Sequence, residues 1–239
     1  MSNALPKPAC LEIKGLHAFY GESHILQGID LTLKQGQVIA ILGRNGAGKS
    51  TLIKSIMGLV KKTSGSIRFG EWNLIARPPE QIARLGLAWV PEDRGIFASL
   101  TVAENLRLPP IIDPDAPQES ELLTLFPILQ DRLNSPGTRL SGGEQQILAI
   151  ARMLRTGART LMLDEPTEGL APIMVAQIGS IIAHLKRRGY SLLLVEQNLQ
   201  WIAPLADYFY VLEQGCVVDE FPSHAFEARL PGLVERLGL

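Results

Sequence analysis

The segment Gly43-Arg44-Asn45-Gly46-Ala47-Gly48-Lys49-Ser50-Thr51 decides the fold. It joins an apolar run at residues 38–42, a predicted strand, to a predicted helix at residues 52–57. The segment matches the phosphate-binding pattern G-x-x-x-x-G-K-[ST]. Its glycines let backbone N–H groups turn toward phosphate oxygens, and the helix presents further free N–H groups to the same anion. We therefore predict that the whole segment binds a phosphorylated ligand, with Lys49 at the terminal phosphates and the Ser50 hydroxyl on Mg²⁺.

Composition limits the classes of protein that can carry this loop. The chain has 239 residues, of which 46% are hydrophobic and 20% charged, as in an ordinary globular protein. A formal net charge of −1 argues against a general nucleic-acid-binding surface. Cys10 and Cys216 lie far apart and are predicted to be reduced thiols. Because there is neither an apolar run of about 20 residues nor an apolar signal core, we expect a soluble, cytosolic chain that can still dock on a membrane protein.

Strand patterns surround the loop on both sides. Residues 1–9 have little pattern and are predicted to be a frayed leader, whereas residues 10–16 and 29–34 alternate apolar and polar side chains, which is typical of an antiparallel β layer. Buried strands are predicted at 86–91, 160–165 and 191–195, helices at 79–85, 172–188 and 198–206, and a hairpin at 208–221.

Residues from about 91 to 157 show helices and loops without a clear strand pattern. Thr101 and Glu104 form a predicted capping box, and a proline-rich link leads to a predicted amphipathic helix near 119–131. This block cannot supply the parallel sheet that the loop requires, so we interpret it as a helical insertion.

Two adjacent acids, Asp164 and Glu165, follow the apolar strand at residues 160–163. If this strand is parallel to the strand before the loop, both acids lie at the edge of the sheet where ligands bind. Asp164 would then hold Mg²⁺, and Glu165 would polarise the water that attacks a γ-phosphate. The alternative is a pair of solvated carboxylates at a strand end.

A second glycine site lies in the helical insertion, at Ser141-Gly142-Gly143-Glu144. Ser141 and Glu144 form another capping box, and apolar residues follow at helical spacing. This helix N-terminus is either an ordinary capped helix or a second anion site. One nucleotide in one loop needs only one such site, so the second would close over a nucleotide that a partner chain holds.

These residues together resemble the ATP-binding subunits of ABC transporters. The resemblance rests on Leu140–Gln145 lying between the phosphate loop and Leu161–Pro166, and it extends from about Leu11 to Phe221. It implies that ATP and Mg²⁺ are the ligands and that two subunits close around two nucleotides. It also implies that Tyr20 stacks on adenine, although Tyr20 alone would be interpreted as a packing residue at a strand end. Residues 168–171 correspond to the loop that the family places at the dimer interface.

The implied fold is α/β, the ABC ATPase fold, which consists of a P-loop NTPase core with a mixed sheet, an N-terminal antiparallel β layer and an inserted helical subdomain. We predict one ATP-binding domain at 10–239. Its parts are a core at about 10–90 and 158–221, the helical insertion at about 91–157, and a helical tail at 222–239.

Two positions depart from the commonest pattern of the family. A glutamine usually follows the strand that ends at Pro91, and this chain has Glu92. A histidine usually follows the strand at 192–195, and this chain has Gln197. Gln197 can donate a hydrogen bond to a γ-phosphate oxygen but cannot titrate near neutral pH. Glu92 can offer an oxygen to Mg²⁺ or water, but it adds negative charge beside a triphosphate.

The departures resemble one branch of the family, the ATP-binding subunits of branched-chain amino acid importers. They lie in the sequences around Glu92, Glu196-Gln197-Asn198 and Gly169–Pro172. The resemblance implies permease subunits in a bacterial inner membrane, a second copy or a sister ATP-binding subunit, and indirectly a periplasmic binding protein. Urea or amide importers and lipopolysaccharide or lipid exporters are alternatives. An ATPase acting on nucleic acid or ribosomes is disfavoured, because the chain has one cassette and no basic excess.

Overall fold

The computed structural model describes residues 11–238 and contains two sheets with helices around them. The strands are β1 (Leu11–Tyr20), β2 (Ser23–Leu33), β3 (Val38–Leu42), β4 (Lys62–Phe69), β5 (Trp72–Asn73), β6 (Leu87–Val90), β7 (Thr160–Asp164), β8 (Ser191–Glu196), β9 (Tyr208–Glu213) and β10 (Cys216–Pro222). The helices are α1 (Lys49–Ile56), α2 (Pro79–Arg84), α3 (Val102–Arg107), α4 (Glu119–Leu125), α5 (Pro127–Gln130), α6 (Gly142–Arg155), α7 (Pro172–Arg187), α8 (Leu199–Ile202) and α9 (Phe226–Leu237). Short 3₁₀ turns lie at Gly137–Arg139 and Ser223–Ala225.

The larger sheet has the strand order β10-β9-β3-β8-β7-β6. Its strands from β9 to β6 are parallel, and β10 returns antiparallel to β9. The predicted parallel relation between β7 and β3 is thus confirmed, through β8 between them. Since the carboxyl ends of parallel strands meet at one edge, the segments after β3, β6, β7 and β8 converge there.

The smaller sheet is antiparallel, in the order β2-β1-β4-β5, and covers one face of the larger sheet. Alternate residues of β3 show why this strand is apolar throughout. Ile39 and Ile41 pack with α1 and the antiparallel sheet, whereas Val38, Ala40 and Leu42 belong to the cluster on the opposite face. Both faces of the central strand are therefore buried. The predicted α/β class, with a mixed sheet and an antiparallel β layer, is confirmed.

The helical insertion lies between β6 and β7 and holds α3 to α6. Both predicted capping boxes are present, at the starts of α3 and α6. An isolated bridge joins Thr101 to Pro136, outside the named strands. One hydrophobic cluster extends from the insertion helices to β7 and α7, so insertion and sheet share a core. The exact domain boundaries stay a prediction.

Two element predictions were wrong. The single helix at 119–131 is instead two, α4 and α5, because Pro127 starts a new helix and Phe126 before it takes non-helical angles, φ −123° and ψ 67°. The second strand begins at Ser23 rather than at residue 29, and β1 continues to Tyr20. Gly28, with φ +84°, interrupts the alternation that would have revealed the longer strand.

Other expectations concern the ends of the chain and its thiols. The predicted leader at 1–9 and the thiol of Cys10 lie outside the described residues. Cys216 is a free, half-buried thiol, as predicted. Within residues 11–238, no helix combines the length and the apolar character needed to cross a bilayer.

Candidate active site

The converging carboxyl ends of the parallel strands surround a cavity of about 310 Å³. Six loop residues line it, namely Asn45, Gly46, Gly48, Lys49, Ser50 and Thr51. The carboxylates of Glu92, Glu165 and Glu168 line it from the segments after β6 and β7. The sequence-predicted phosphate loop, Glu92 and Glu165 therefore meet in one place, although they come from distant parts of the chain.

The phosphate loop has the backbone that its sequence predicts. Gly48 has φ +107°, and a Cβ at this position would lie 2.8 Å from Leu26 Cδ2, so that only glycine fits before α1. The side chain of Lys49 is buried, with 4% exposed. Its Nζ donates to the carbonyl oxygens of Gly43 at 2.8 Å and Arg44 at 3.2 Å. Nζ also lies 3.1 Å from Glu165 Oε1, so the loop cation and the predicted general base form an ion pair.

Glu165 is held in an unusual conformation at the centre of the site. Its φ of +46° lies in the left-handed region, which is strained for a residue with a side chain and is typical of functional positions. Gln197 Nε2 donates to Glu165 Oε1 at 3.0 Å and to Asn45 Oδ1 at 2.8 Å. Burial opposes ionisation of Glu165, but hydrogen bonds from Glu168, Lys49 and Gln197 outweigh it and keep its pKa below the ordinary value. The carboxylate is therefore charged and available to accept a proton.

Glu168 is a site residue that the sequence analysis placed only in the interface loop. Its carboxyl shares a hydrogen bond with Glu165, and this bond, together with burial and the nearby carboxylates, raises its pKa to about 7. The two carboxyls thus hold one proton between them near neutral pH. In the sequence, the three-residue spacing between Glu165 and Glu168 was the only indication of this contact. The spacing brings the two carboxyls together only because the chain turns after β7.

A magnesium ion would fit beside Ser50 and Asp164. The Asp164 side chain is 2% exposed, and its Oδ1 is buried without a hydrogen-bond partner. Burial raises the pKa of Asp164, while a hydrogen bond from Ser50 opposes the shift. An orphaned carboxylate oxygen beside a hydroxyl and phosphate-binding N–H groups matches the oxygen donors that Mg²⁺ takes, with Glu92 on the same cavity.

Among residues 11–238, no three His, Cys, Asp or Glu side chains form a metal cluster.

The second glycine site has the predicted cap. Glu144 N–H donates to Ser141 Oγ at 3.3 Å, and Glu144 Oε2 accepts from Ser141 N–H at 2.7 Å. Gly143 lies against α7, where a Cβ would be 2.5 Å from Met174 Cγ. Arg94, which the sequence analysis missed, lies beside the loop, since a Cβ on Gly142 would be 3.4 Å from both of its terminal nitrogens. None of these residues lines the cavity of the phosphate loop.

Three predicted ligand-binding side chains lie away from the phosphate cavity. Tyr20 is 48% exposed at the end of β1 and does not line the cavity. Arg44 and Ala47 line a neighbouring space of about 340 Å³, which Arg236 of α9 also borders. Stacking of Tyr20 on adenine and contact of Arg44 with nucleotide stay predictions.

A family model and two curated relatives are similar to this chain in sequence. A family model described as "ABC transporter" matches residues 26–168. The chain is 41% identical over 211 residues to the high-affinity branched-chain amino acid transport ATP-binding protein BraG of Pseudomonas aeruginosa, covering 87% of this chain and 91% of the relative. It is 37% identical over 230 residues to the probable branched-chain amino acid transport ATP-binding protein LivF of Archaeoglobus fulgidus, covering 92% and 98%.

A more distant relative and two solved structures complete the comparison. The lipopolysaccharide export system ATP-binding protein LptB of Escherichia coli is 32% identical over 216 residues, covering 88% of this chain and 89% of the relative. A nucleotide-free ATP-binding cassette from an ABC transporter superposes with a TM-score of 0.83 at 25% identity, covering 95% and 98%. The ADP conformation of the cassette MJ1267 superposes with a TM-score of 0.81 at 26% identity, covering 96% and 98%.

Proposed function

The chain belongs to the ABC transporter family, and on this premise we propose that it is the ATP-hydrolysing subunit of an importer for branched-chain amino acids. The observation that carries the solute class is the 41% identity to BraG over 87% of the chain. Glu92 and Gln197 also support it, because these departures from the commonest family pattern resemble the branched-chain amino acid importers. Glu92 lines the phosphate cavity, and Gln197 donates to Asn45 and Glu165, which line it.

Hydrolysis proceeds by attack of water on the γ-phosphorus of ATP, which breaks the bond to the β–γ bridging oxygen and releases ADP and inorganic phosphate. Glu165 accepts the proton of that water, and Gln197 fixes the orientation of the Glu165 carboxylate. Lys49 leaves its ion pair with Glu165 and binds the terminal phosphates, so that nucleotide binding frees the base. Ser50 and Asp164, with Glu92 nearby, would hold Mg²⁺, which would supply positive charge to the phosphates.

The nucleotide is closed by a second subunit. Ser141, Gly142 and Gly143 of the partner cover the triphosphate that one phosphate loop holds, and the reverse contact forms at the other nucleotide. The partner is a second copy of this chain or a sister ATP-binding subunit. Support comes from the separation of the two glycine sites, because within one chain the capped N-terminus of α6 does not line the phosphate cavity.

The transport partners are integral membrane permease subunits, and a periplasmic binding protein delivers the solute to them. In this arrangement the chain is peripheral on the cytoplasmic face of the bacterial inner membrane, and nucleic acid is not a partner.

Uptake of radiolabelled leucine by cells that lack the gene tests the solute class. Cells supplied with the parent chain should recover leucine uptake, whereas cells supplied with Glu165→Gln should not. Urea uptake, measured in the same cells, is the control for the amide-importer alternative. Recovery of urea uptake without leucine uptake would contradict the proposal.

Lipopolysaccharide export is the second candidate, favoured by the 32% identity to LptB. Co-purification of the Glu165→Gln chain from detergent-solubilised membranes distinguishes the candidates. Permease subunits of an importer support the proposal, membrane subunits of an exporter support the second candidate, and rRNA or DNA would contradict both.

A further inference from the structure

Glu196 is a buried carboxylate that no step of hydrolysis uses directly. It ends β8, only 3% of it is exposed, and it pairs with Leu42, the residue before the phosphate loop. Its Oε1 accepts a hydrogen bond from Thr167 Oγ1 at 2.5 Å and one from Thr167 N–H at 3.2 Å. Its Oε2 accepts from the N–H groups of Gln197 at 3.0 Å and Asn198 at 3.1 Å.

All of these partners are donors, and an ionised carboxylate is the side chain that only accepts. Burial raises the pKa of Glu196, and the hydrogen bonds from Thr167, Asn198 and Gln197 oppose the shift. A buried charge would be strongly unfavourable without such partners. The buried charge of Glu196 therefore requires the hydrogen bonds on both of its oxygens.

The two oxygens hold two different loops of the site. One oxygen holds Thr167, which lies two residues after Glu165 in the turn that follows β7. The other holds the backbone at Gln197, whose side chain contacts both Glu165 and Asn45. The carboxylate of Glu196 thus fixes the position of Glu165 in two ways. It holds the turn that carries Glu165, and it holds the loop that carries Gln197, the hydrogen-bond donor to Glu165.

We propose that Glu196 is a positioning residue for ATP hydrolysis, which sets the geometry between Glu165 and Gln197 by tying the turn after β7 to the loop after β8. The proposal rests on the roles given above to these two residues. Misplacing a reacting group by about 1 Å can lower turnover about 10²-fold, so a support of this kind affects kcat. It leaves the phosphate loop intact and is not expected to alter nucleotide affinity.

Glu196→Gln tests the proposal, because it keeps the shape but turns one acceptor oxygen into a donor that faces donors. We expect kcat to fall by about 10- to 100-fold while the Kd for a non-hydrolysable ATP analogue is unchanged. Thr167→Val removes only the hydroxyl donor and should lower kcat less than Glu196→Gln does. Thr167→Ser keeps the hydroxyl and should have the kcat of the parent. An unchanged kcat in both Glu196→Gln and Thr167→Val would overturn the proposal.

Asp207→Asn is the matched control for lost stability. Asp207 Oδ2 accepts from Val38 N–H at 2.9 Å, at the end of β3 opposite to the phosphate loop. This variant should lower Tm without changing kcat. If kcat falls in Asp207→Asn as it does in Glu196→Gln, the effect follows stability and the positioning role is wrong.

Combining Glu196→Gln with Gln197→Ala tests whether Glu196 acts through Gln197. Because part of the role of Glu196 passes through Gln197, Glu196→Gln should lower kcat by a smaller factor in that background than in the parent. Equal factors would contradict the proposal. The parent and Glu165→Gln, assayed in parallel, distinguish the two levels of inference, since a parent without ATPase activity would contradict the proposed function instead.

Discussion

Gln197 Nε2 lies 3.0 Å from Glu165 Oε1 and donates a hydrogen bond to it. The same nitrogen donates to Asn45 Oδ1 at 2.8 Å, so both of its hydrogens are used. An amide nitrogen can thus connect the phosphate loop to the predicted base, whereas one ring nitrogen of a histidine carries a single hydrogen. This contact explains how a glutamine can occupy the position where the family usually has histidine.

Replacement of Gln197 tests this contact. Gln197→Ala should lower kcat by about 10²- to 10³-fold, the usual scale for one lost donor in a transition state, with a smaller change in ATP affinity. Steady-state ATPase assays and nucleotide titration measure the two quantities. Gln197→His is the matched variant, which keeps one donor on a ring nitrogen and should therefore retain part of the activity and gain a pH dependence near about 6.5. Unchanged hydrolysis in Gln197→Ala would show that the contact has no role in turnover.

Ser141→Arg tests closure by a partner. The larger, charged side chain at the start of α6 should prevent two subunits from closing, while each chain still binds ATP in its own phosphate loop. Nucleotide titration and sedimentation with ATP measure the two effects separately. Ser120→Arg, an exposed position on α4, is the control for added charge and bulk. Loss of ATP binding by the isolated Ser141→Arg chain would refute closure in trans.

The raised pKa of Glu168 makes the stability of the folded chain depend on pH. Its pKa is about 7 in the folded chain, above the value of 4.5 for a free glutamate, so the folded state binds its proton more tightly. The corresponding stability is present below about pH 4.5 and is lost as pH rises through about 7. Glu168→Gln cannot lose this proton, and its Tm relative to the parent should rise between about pH 5 and about pH 8.

Thermal unfolding at the two pH values measures this difference. Glu121→Gln, at an exposed position on α4, is the control and should show the same difference from the parent at both. If Glu168→Gln behaves like this control, the shared proton between Glu165 and Glu168 is absent.

Local patterns in the sequence predicted much of the fold. The fully apolar runs of β7 and β8 correspond to strands buried on both faces, and Ser141 with Glu144 forms the predicted capping box. Such features depend on neighbouring residues alone, so a single sequence contains them. The break at Pro127 was also available in the sequence, and it was missed because the amphipathic pattern continues across it.

Contacts between distant segments could not be predicted in the same way. Glu196 meets Thr167 only because β7 and β8 are adjacent in the sheet, and sequence spacing does not state this adjacency. Arg94 meets Gly142 only because the segment after β6 folds back over the start of α6. The resemblance predicted which residues form the site, whereas the contacts that orient them could be found only in the structure.

Turnover by Glu165→Gln tests the central claim most directly, namely that Glu165 accepts the proton of the attacking water. The substitution keeps the shape of the side chain and removes its basicity, so kcat should fall by about 10²- to 10⁴-fold while ATP still binds. Release of inorganic phosphate under saturating ATP and Mg²⁺ measures kcat, and nucleotide titration of the same sample shows that the phosphate loop is intact. Hydrolysis at the parent rate by a chain that binds ATP normally would contradict the claim.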